Sequence, residues 1–184
     1  MNMWDERYSA NDTVYGVQPN VFFASQLAMR ELGTVCLPCD GEGRNAVHAA
    51  AKGWTVRSFD VSPVGVQKAQ ALAASRGVDI QVEVADALVF APEAQFDVVG
   101  LVFAHMPEER RAAFHARVWQ WVKPGGCMIV EGFHRDQLGL NSGGPKRLDM
   151  LFHEATFAED IERAFDDASI CLLYTSDAAD EFSC

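Results

Sequence analysis

Apolar and polar positions along the chain switch between a helical period and a strand period, and the switches mark the elements. "NVFFASQLAMREL", opened by Pro19 or Asn20 and stopped at Gly33, carries its apolar residues at helical spacing. "TVCL" (34–37) is a short β-branched run ending in a glycine turn, and "GRNAVHAAAKG" then predicts a helix closed by Gly53. "TVRSFD" (55–60) alternates as a strand does. "SPVGVQKAQALAASRG" predicts a helix with Ser62 as its N-cap and Pro63 in its first turn. "DIQVEVAD" (79–86) predicts a third strand, and the unbroken apolar run "FDVVGLVFA" (96–104) a strand buried on both faces. Pro107 to Val122 is amphipathic and helical, "KPGG" breaks it, and "CMIVEGF" (127–133) predicts a fifth strand. "FAEDIERAFDDASI" reads as a helix leading into one more strand. Residues 1–19 are polar, with Trp4, Tyr8 and Tyr15 spaced through them, and are assigned no element.

Strands alternating with helices predict an α/β fold with a mostly parallel sheet and right-handed crossovers. There is no internal repeat and no sign of a second domain, and 184 residues suffice for one core. Hydrophobic residues at 49% and charged residues at 22% fit an ordinary soluble domain. No apolar run is long enough for a membrane span, and the polar start "MNMWDERYSANDT" is unlike a secretory signal. Five cysteines form no plausible disulfide framework, so a reducing cytoplasm is the expected compartment. A net charge of −11, with only short basic groups such as Arg110-Arg111 and Lys146-Arg147, argues against a nucleic-acid partner and for a small molecule.

The chemistry gathers at "LPCDGEGRNAV" (37–47). Gly41 and Gly43, between a strand and a helix, allow a sharp turn and a ligand's approach to backbone N–H groups. Asp60 ends the second strand, where a carboxylate can accept hydrogen bonds from ribose hydroxyls, and Asp86 ends the third, where an acceptor can meet an adenine amino group. "GEGRNA" also satisfies G-x-G-x-x-A, so a nicotinamide-dependent oxidoreductase is one alternative. A binding protein without turnover is another. Against the dinucleotide reading stand Cys39 at the first glycine position, the place of Asp86, and the "VKPGGCMIVEGF" segment.

Together, "LPCDGEGRNAV", "VRSFDVSPVGVQKAQALA", "VEVADAL", "FDVVGLVFAHMPEERR" and "WVKPGGCMIVEGF" make residues 3–165 resemble the class I S-adenosylmethionine-dependent methyltransferases. Within that group the chain is similar to small proteins related to the tellurite-resistance and thiopurine methyltransferases, on "WDERYSANDTVYGVQPN", "GEGRNA" and a "GGP" segment after the fifth strand. The resemblance implies a Rossmann-like, three-layer sheet whose last C-terminal strand or strands are missing here. It implies S-adenosylmethionine as cofactor and methyl transfer to a small acceptor, such as a thiol or a chalcogen oxyanion. Gly41 and Gly43 would pass beside the methionine part, Asp60 with Val61 and Ser62 would hold the ribose, and Asp86 with Ala87 the adenine. Phe103, Ala104 and His105 would line the methionine end and transfer site, while Arg44 and Asn45 would orient the helix start or a lid.

The family's usual acidic residue before the glycines is Leu37 here, followed by Pro38, and Asp40 is the candidate substitute for holding the cofactor's ammonium group. His105 is the candidate general base, the alternative being a histidine that caps a helix or bonds a backbone carbonyl. His134, after the fifth strand, could face the same crevice but is expected to be exposed. Trp4, Arg7, Tyr8 and Tyr15 could form a lid over the cofactor or merely cover a hydrophobic edge. Gln137, Gly143, Gly144, Pro145 and Lys146 could border the acceptor pocket or form a surface loop. Cys36 and Cys39 form a C-x-x-C pair without the second pair a metal site needs, and no metal is expected. An uncovered fifth-strand edge would invite pairing with another chain and hence a homodimer.

The chain ends in "CLLYTSDAADEFSC". Cys171 to Ser176 can be encoded as TGTCTCTTATACACATCT, which closely resembles the transposon mosaic end of shotgun-library adapters. Residues 1–170 are therefore read as the domain, with 1–19 as the candidate lid, and 171–184 as translated adapter read-through. A genuine strand with an acidic tail is the alternative.

Overall fold

The structure is a computed structural model. It describes residues 2–10, 12–140, 143–153, 155 and 158–160, and the backbone of 174–176. In chain order the elements are α1 (Met3–Ser9), α2 (Val21–Ala28), β1 (Thr34–Pro38), α3 (Arg44–Ala51), β2 (Thr55–Asp60), α4 (Pro63–Arg76) and β3 (Gln81–Val84). There follow β4 (Phe96–Val102), α5 (Glu108–Trp119), β5 (Val122–Phe133), two 3-10 turns at Arg135–Gln137 and Leu148–Met150, and β6 (Tyr174–Ser176).

The strands form one parallel sheet in the order β3-β2-β1-β4-β5-β6. Alternation along each strand sorts the core into two faces. Val35 and Leu37 of β1, Val56 of β2 and Val98 of β4 pack with Phe23 and Leu27 of α2 and Ala46 and Ala49 of α3. Cys36, Phe59, Val99 and Leu101 point the other way, against Phe114 and Val118 of α5 and Trp121. Helices thus cover both faces, giving the expected three-layer α/β arrangement. β1 and β4 are neighbours from opposite halves of the chain, and this switch point leaves a crevice at their carboxyl ends.

Three elements differ from expectation. Residues 3–9 form a helix, closed at its start by a capping box in which the Asn2 side chain accepts the Asp5 N–H and Asp5 accepts the Asn2 N–H. "KPGG" does not end a helix ahead of a separate strand: β5 starts at Val122, opposite Phe96, and runs through these residues with an irregular register. Finally, the β5 edge expected to be bare is paired over Glu131–Phe133 with Tyr174–Ser176, inside the suspected tail. The strand-edge argument for a homodimer does not apply to those residues. The rest of 171–184 lies outside the described residues, as does most of the helix expected over 157–170.

Candidate active site

The first wall of the crevice is the turn after β1. Cys39 takes a left-handed φ of 58°, a conformation that favours glycine, which explains why a cysteine can replace one here only with strain. Gly41 also has positive φ, and a Cβ added to it would lie 2.4 Å from the Tyr8 hydroxyl. Gly43, the N-cap of α3, serves packing as well: its Cβ would fall 2.5 Å from that of Ala69 on α4. The two glycines expected to pass beside one ligand thus both make room for the protein itself, Gly41 for Tyr8 of α1 and Gly43 for Ala69 of α4.

Asp60 closes β2 and is buried, with one carboxylate oxygen accepting the Gly41 N–H and the other the Ser62 N–H, both at 2.9 Å. Burial raises its pKa and the two N–H groups oppose that shift. The carboxylate ties the glycine turn to the β2 exit, and each oxygen keeps a second lone pair for a ligand hydroxyl. Val61 beside it is 43% exposed, an apolar surface at the crevice edge. Ser62 is fully buried: its hydroxyl donates to Asp5 at 2.5 Å and accepts the Gly65 N–H at 3.1 Å, so it clasps α1 to the start of α4. That leaves Ser62 no surface to offer a ribose. Asp86 is exposed, one oxygen accepting the Leu88 N–H, and Ala87 is buried beneath it.

Asp40 turns its carboxyl towards α3. It accepts the Ala46 N–H at 3.1 Å, the Asn45 amide at 3.2 Å and the Ser58 hydroxyl at 3.4 Å, capping a helix whose N-cap Gly43 has no side chain to do so. Asn45 is buried and its amide oxygen takes the Asn20 N–H while its amide N–H goes to Asp40, so this side chain braces the starts of α2 and α3. Burial pushes the Asp40 carboxyl up to about 7, against the hydrogen bonds that favour its charged form. Because the folded value lies above the unfolded one, the protonated form stabilises the fold. That contribution is whole below about pH 4 and is lost as pH rises to about 7. Asp40→Asn, which mimics the protonated group, is expected to match the wild type near pH 4 and exceed it by roughly 1–3 kcal/mol near pH 8 in urea denaturation. An equal difference at both pH values would reject this.

The N-terminal residues lie over this wall. Trp4 stacks on Tyr8 at 5.6 Å, and Tyr8 is buried against Gly41 with its phenol pKa raised by desolvation, so it remains protonated. Lys68 of α4 donates to the carbonyls of Tyr8 and Asp12 and pairs with Glu42 at 3.0 Å, while Glu42 also accepts the Val14 N–H. Tyr15 sits between the guanidinium groups of Arg7 and Arg44, at 5.4 and 5.9 Å, and its carbonyl accepts from Arg44. Asp5, Glu42 and Lys68 were not singled out from the sequence. The Asn2-to-Asp5 spacing signals the capping box, whereas the long-range partners of Lys68 leave no local trace.

The opposite wall is the β4 exit. Phe103 has a left-handed φ of 55°, donates its N–H to Glu131, and its carbonyl accepts the His105 N–H, which bends the chain sharply at the buried Ala104. His105 lies with Nδ1 2.7 Å from the Met150 carbonyl and Nε2 3.1 Å from the Phe133 N. A carbonyl only accepts and an N–H only donates, so Nδ1 carries the proton and Nε2 uses its lone pair. Burial holds the ring down at about 4. Neither nitrogen is left to take a proton from an acceptor: His105 occupies the position expected of a base but is used as a bracket between β4, β5 and the Met150 turn. His134, half-buried, accepts the Asp136 N–H. Gln137 is buried and donates to Pro145, and Gly144 packs on Gln137 and Phe133, so these loop residues border the β5 exit. Lys146 donates to the Leu140 carbonyl at the surface.

Cys36 and Cys39 have thiols pushed up by burial, Cys36 to about 12, unlike a reactive pair. Among the described residues no group of His, Cys, Asp or Glu could hold a metal, and no helix is long and apolar enough to cross a membrane. The acceptor set does suit a nucleoside: Asp60 for hydroxyl donors, the exposed Asp86 for an amino group, and Val61 as an apolar face beside them.

Residues 37–126 match the family described as a methyltransferase domain. No curated protein matches the chain closely enough to count as a relative. Solved structures do. One, described as "Conversion of a Disulfide Bond into a Thioacetal Group during Echinomycin Biosynthesis", is 22% identical with a TM-score of 0.67, over 79% of this chain and 68% of that one. Magnesium protoporphyrin IX methyltransferase from Synechocystis, with bound S-adenosylmethionine, is 20% identical with a TM-score of 0.61, over 77% and 64%. A methyltransferase from Thiobacillus denitrificans in complex with S-adenosylhomocysteine is 18% identical with a TM-score of 0.58, over 71% and 55%. The chain thus spans 55% to 68% of these structures, and at such identities the likeness is one of fold. The family match does not favour the dinucleotide alternative. Residues 37–126 are thus similar to a methyltransferase domain, and the chain has the Rossmann-like α/β fold of these methyltransferase structures.

Proposed function

We propose that the whole chain transfers a methyl group from S-adenosylmethionine to a small-molecule acceptor with a soft nucleophilic atom, such as a thiol or a reduced chalcogen species, as in the tellurite-resistance and thiopurine group. The observation that carries this reading is the convergence of Asp60, Asp86, Val61 and the glycine turn at the switch point of the sheet. When bound, the cofactor supplies a methyl group on a positively charged sulfur. The protein's part is to hold two reactants in line and exclude water. Asp60 binds the ribose, Asp86 the adenine, and Phe103 and Ala104 border the methionine end. Asp40 and Asn45 act through the start of α3, as positioning residues. With both His105 nitrogens taken by the backbone, an acceptor that needs no general base fits best. Residues 1–19, with Tyr8 and Tyr15, form the lid, residues 1–170 the domain, and 171–184 an adapter-derived tail. The protein acts in the cytoplasm without a nucleic-acid or membrane partner. A homodimer would have to form along surfaces other than the paired part of β5.

S-adenosylhomocysteine is expected to raise the melting temperature by several degrees and NAD to leave it unchanged. Transfer of labelled methyl to a panel of thiols, selenite and tellurite then identifies the acceptor. Stabilisation by NAD alone would sink the reading.

A further inference from the structure

Beside the β4 and β5 exits lies a cleft of about 440 Å³, within the size range of small-molecule sites, lined by Glu108, Arg111, Arg135, Arg147, Asp149 and two leucines. Its charges are sorted. Arg111 is held by Asp160 at 2.8 Å, and Arg147 pairs with Asp149 through two hydrogen bonds. Arg135 and Glu108 remain: both are exposed, and among the described residues neither forms an ion pair, with each other or with a third group. The cleft therefore offers one open guanidinium fork and one open carboxylate on walls that are otherwise internally neutralised. Leu151, one of its lining leucines, is buried against Phe133 and Phe103, so the cleft adjoins the β4 exit.

We propose that this cleft binds a small zwitterion of amino-acid type, its carboxylate on Arg135 and its ammonium on Glu108. A planar carboxylate matches a guanidinium fork, and an ammonium complements a carboxylate. A ligand with no net charge also avoids the repulsion that an anion would meet from a chain of net charge −11. Resting on the methyl-transfer reading, the zwitterion is the acceptor or the part of it that fixes orientation.

Three thiols of similar size separate the charges: L-cysteine carries both, 3-mercaptopropionate the carboxylate alone, cysteamine the ammonium alone. Each is titrated calorimetrically under reducing conditions at fixed ionic strength, with and without saturating S-adenosylhomocysteine. Cysteine is expected to bind at least about fivefold more tightly than either of the others. Arg135→Gln should weaken cysteine and 3-mercaptopropionate but spare cysteamine, and Glu108→Gln should weaken cysteine and cysteamine but spare 3-mercaptopropionate. Both positions are exposed, so the folds should survive, as melting curves would verify. The assignment is overturned if none of the three binds, if a singly charged thiol binds as well as cysteine, or if the variants do not follow the charges. It also falls if Arg135→Gln weakens S-adenosylhomocysteine, since the cleft would then belong to the cofactor. Failure of wild-type protein to bind S-adenosylhomocysteine, with the thiol pattern intact, would instead reject the methyl-transfer reading alone.

Discussion

Asp60→Ala is expected to lower the affinity for S-adenosylhomocysteine by about a hundredfold and to cost roughly 2–3 kcal/mol of stability. The reason is that one carboxylate performs two tasks. Its oxygens accept the N–H groups of Gly41, in the turn after β1, and Ser62, just past β2, and so set the spacing between the glycine turn and the β2 exit. Alanine leaves both N–H groups without their acceptor in a buried place and removes the group proposed to meet the ribose. Asp60→Asn separates the tasks. Its single amide oxygen can serve one of the two N–H groups, so part of the stability should return while affinity stays well below wild type. Calorimetric titration with S-adenosylhomocysteine and urea denaturation measure the two effects. An Asp60→Ala protein that binds within about threefold of wild type would remove Asp60 from the cofactor site.

Gly43→Ala is expected to lower the melting temperature by about 6–12 °C, from a loss of roughly 3 kcal/mol. Two causes add. The backbone sits at φ 81°, where a side chain costs roughly 1–2 kcal/mol. The new Cβ would also lie 2.5 Å from the Ala69 Cβ and 2.9 Å from its Cα, so α3 and α4 must part. Ala69→Gly in the Gly43→Ala background removes the Cβ contact but not the backbone strain, and should restore only part of the loss. Scanning calorimetry on the two variants checks this; a melting temperature within about 2 °C of wild type in Gly43→Ala alone would mean that the helices do not meet there.

Asn45, Ser62 and His105 show where reading side chains along a chain stops. Ser62 was expected beside the ribose and His105 as a base or a carbonyl-bonded histidine, Asn45 at the helix start or a lid, and each is spent on the protein: Asn45 between Asp40 and Asn20, Ser62 between Asp5 and Gly65, His105 between Met150 and Phe133. Their partners come from 25, 57 and 45 residues away in the longest cases, and nothing local announces them. Asp60 and Asp86 were legible because strand ends in a parallel sheet share one edge, so chain position alone places them there.

The order of strands and helices was written in the sequence, because hydrophobic period is a local property: two for strands, 3.6 for helices, with unbroken apolar runs where a strand is covered on both faces. So was the crevice edge, since glycines and acids at the ends of parallel strands can only come together there. The helix at residues 3–9 was not read from the sequence, and its Asn2–Asp5 capping box was recognised only in the structure. Tertiary structure alone decided which polar groups brace the frame, which helix each of the two glycines makes room for, and that Arg135 and Glu108 share one cleft. Those outcomes depend on distances between residues far apart in the chain, and a hydrogen bond or a steric contact is settled within a few tenths of an ångström that no local pattern encodes.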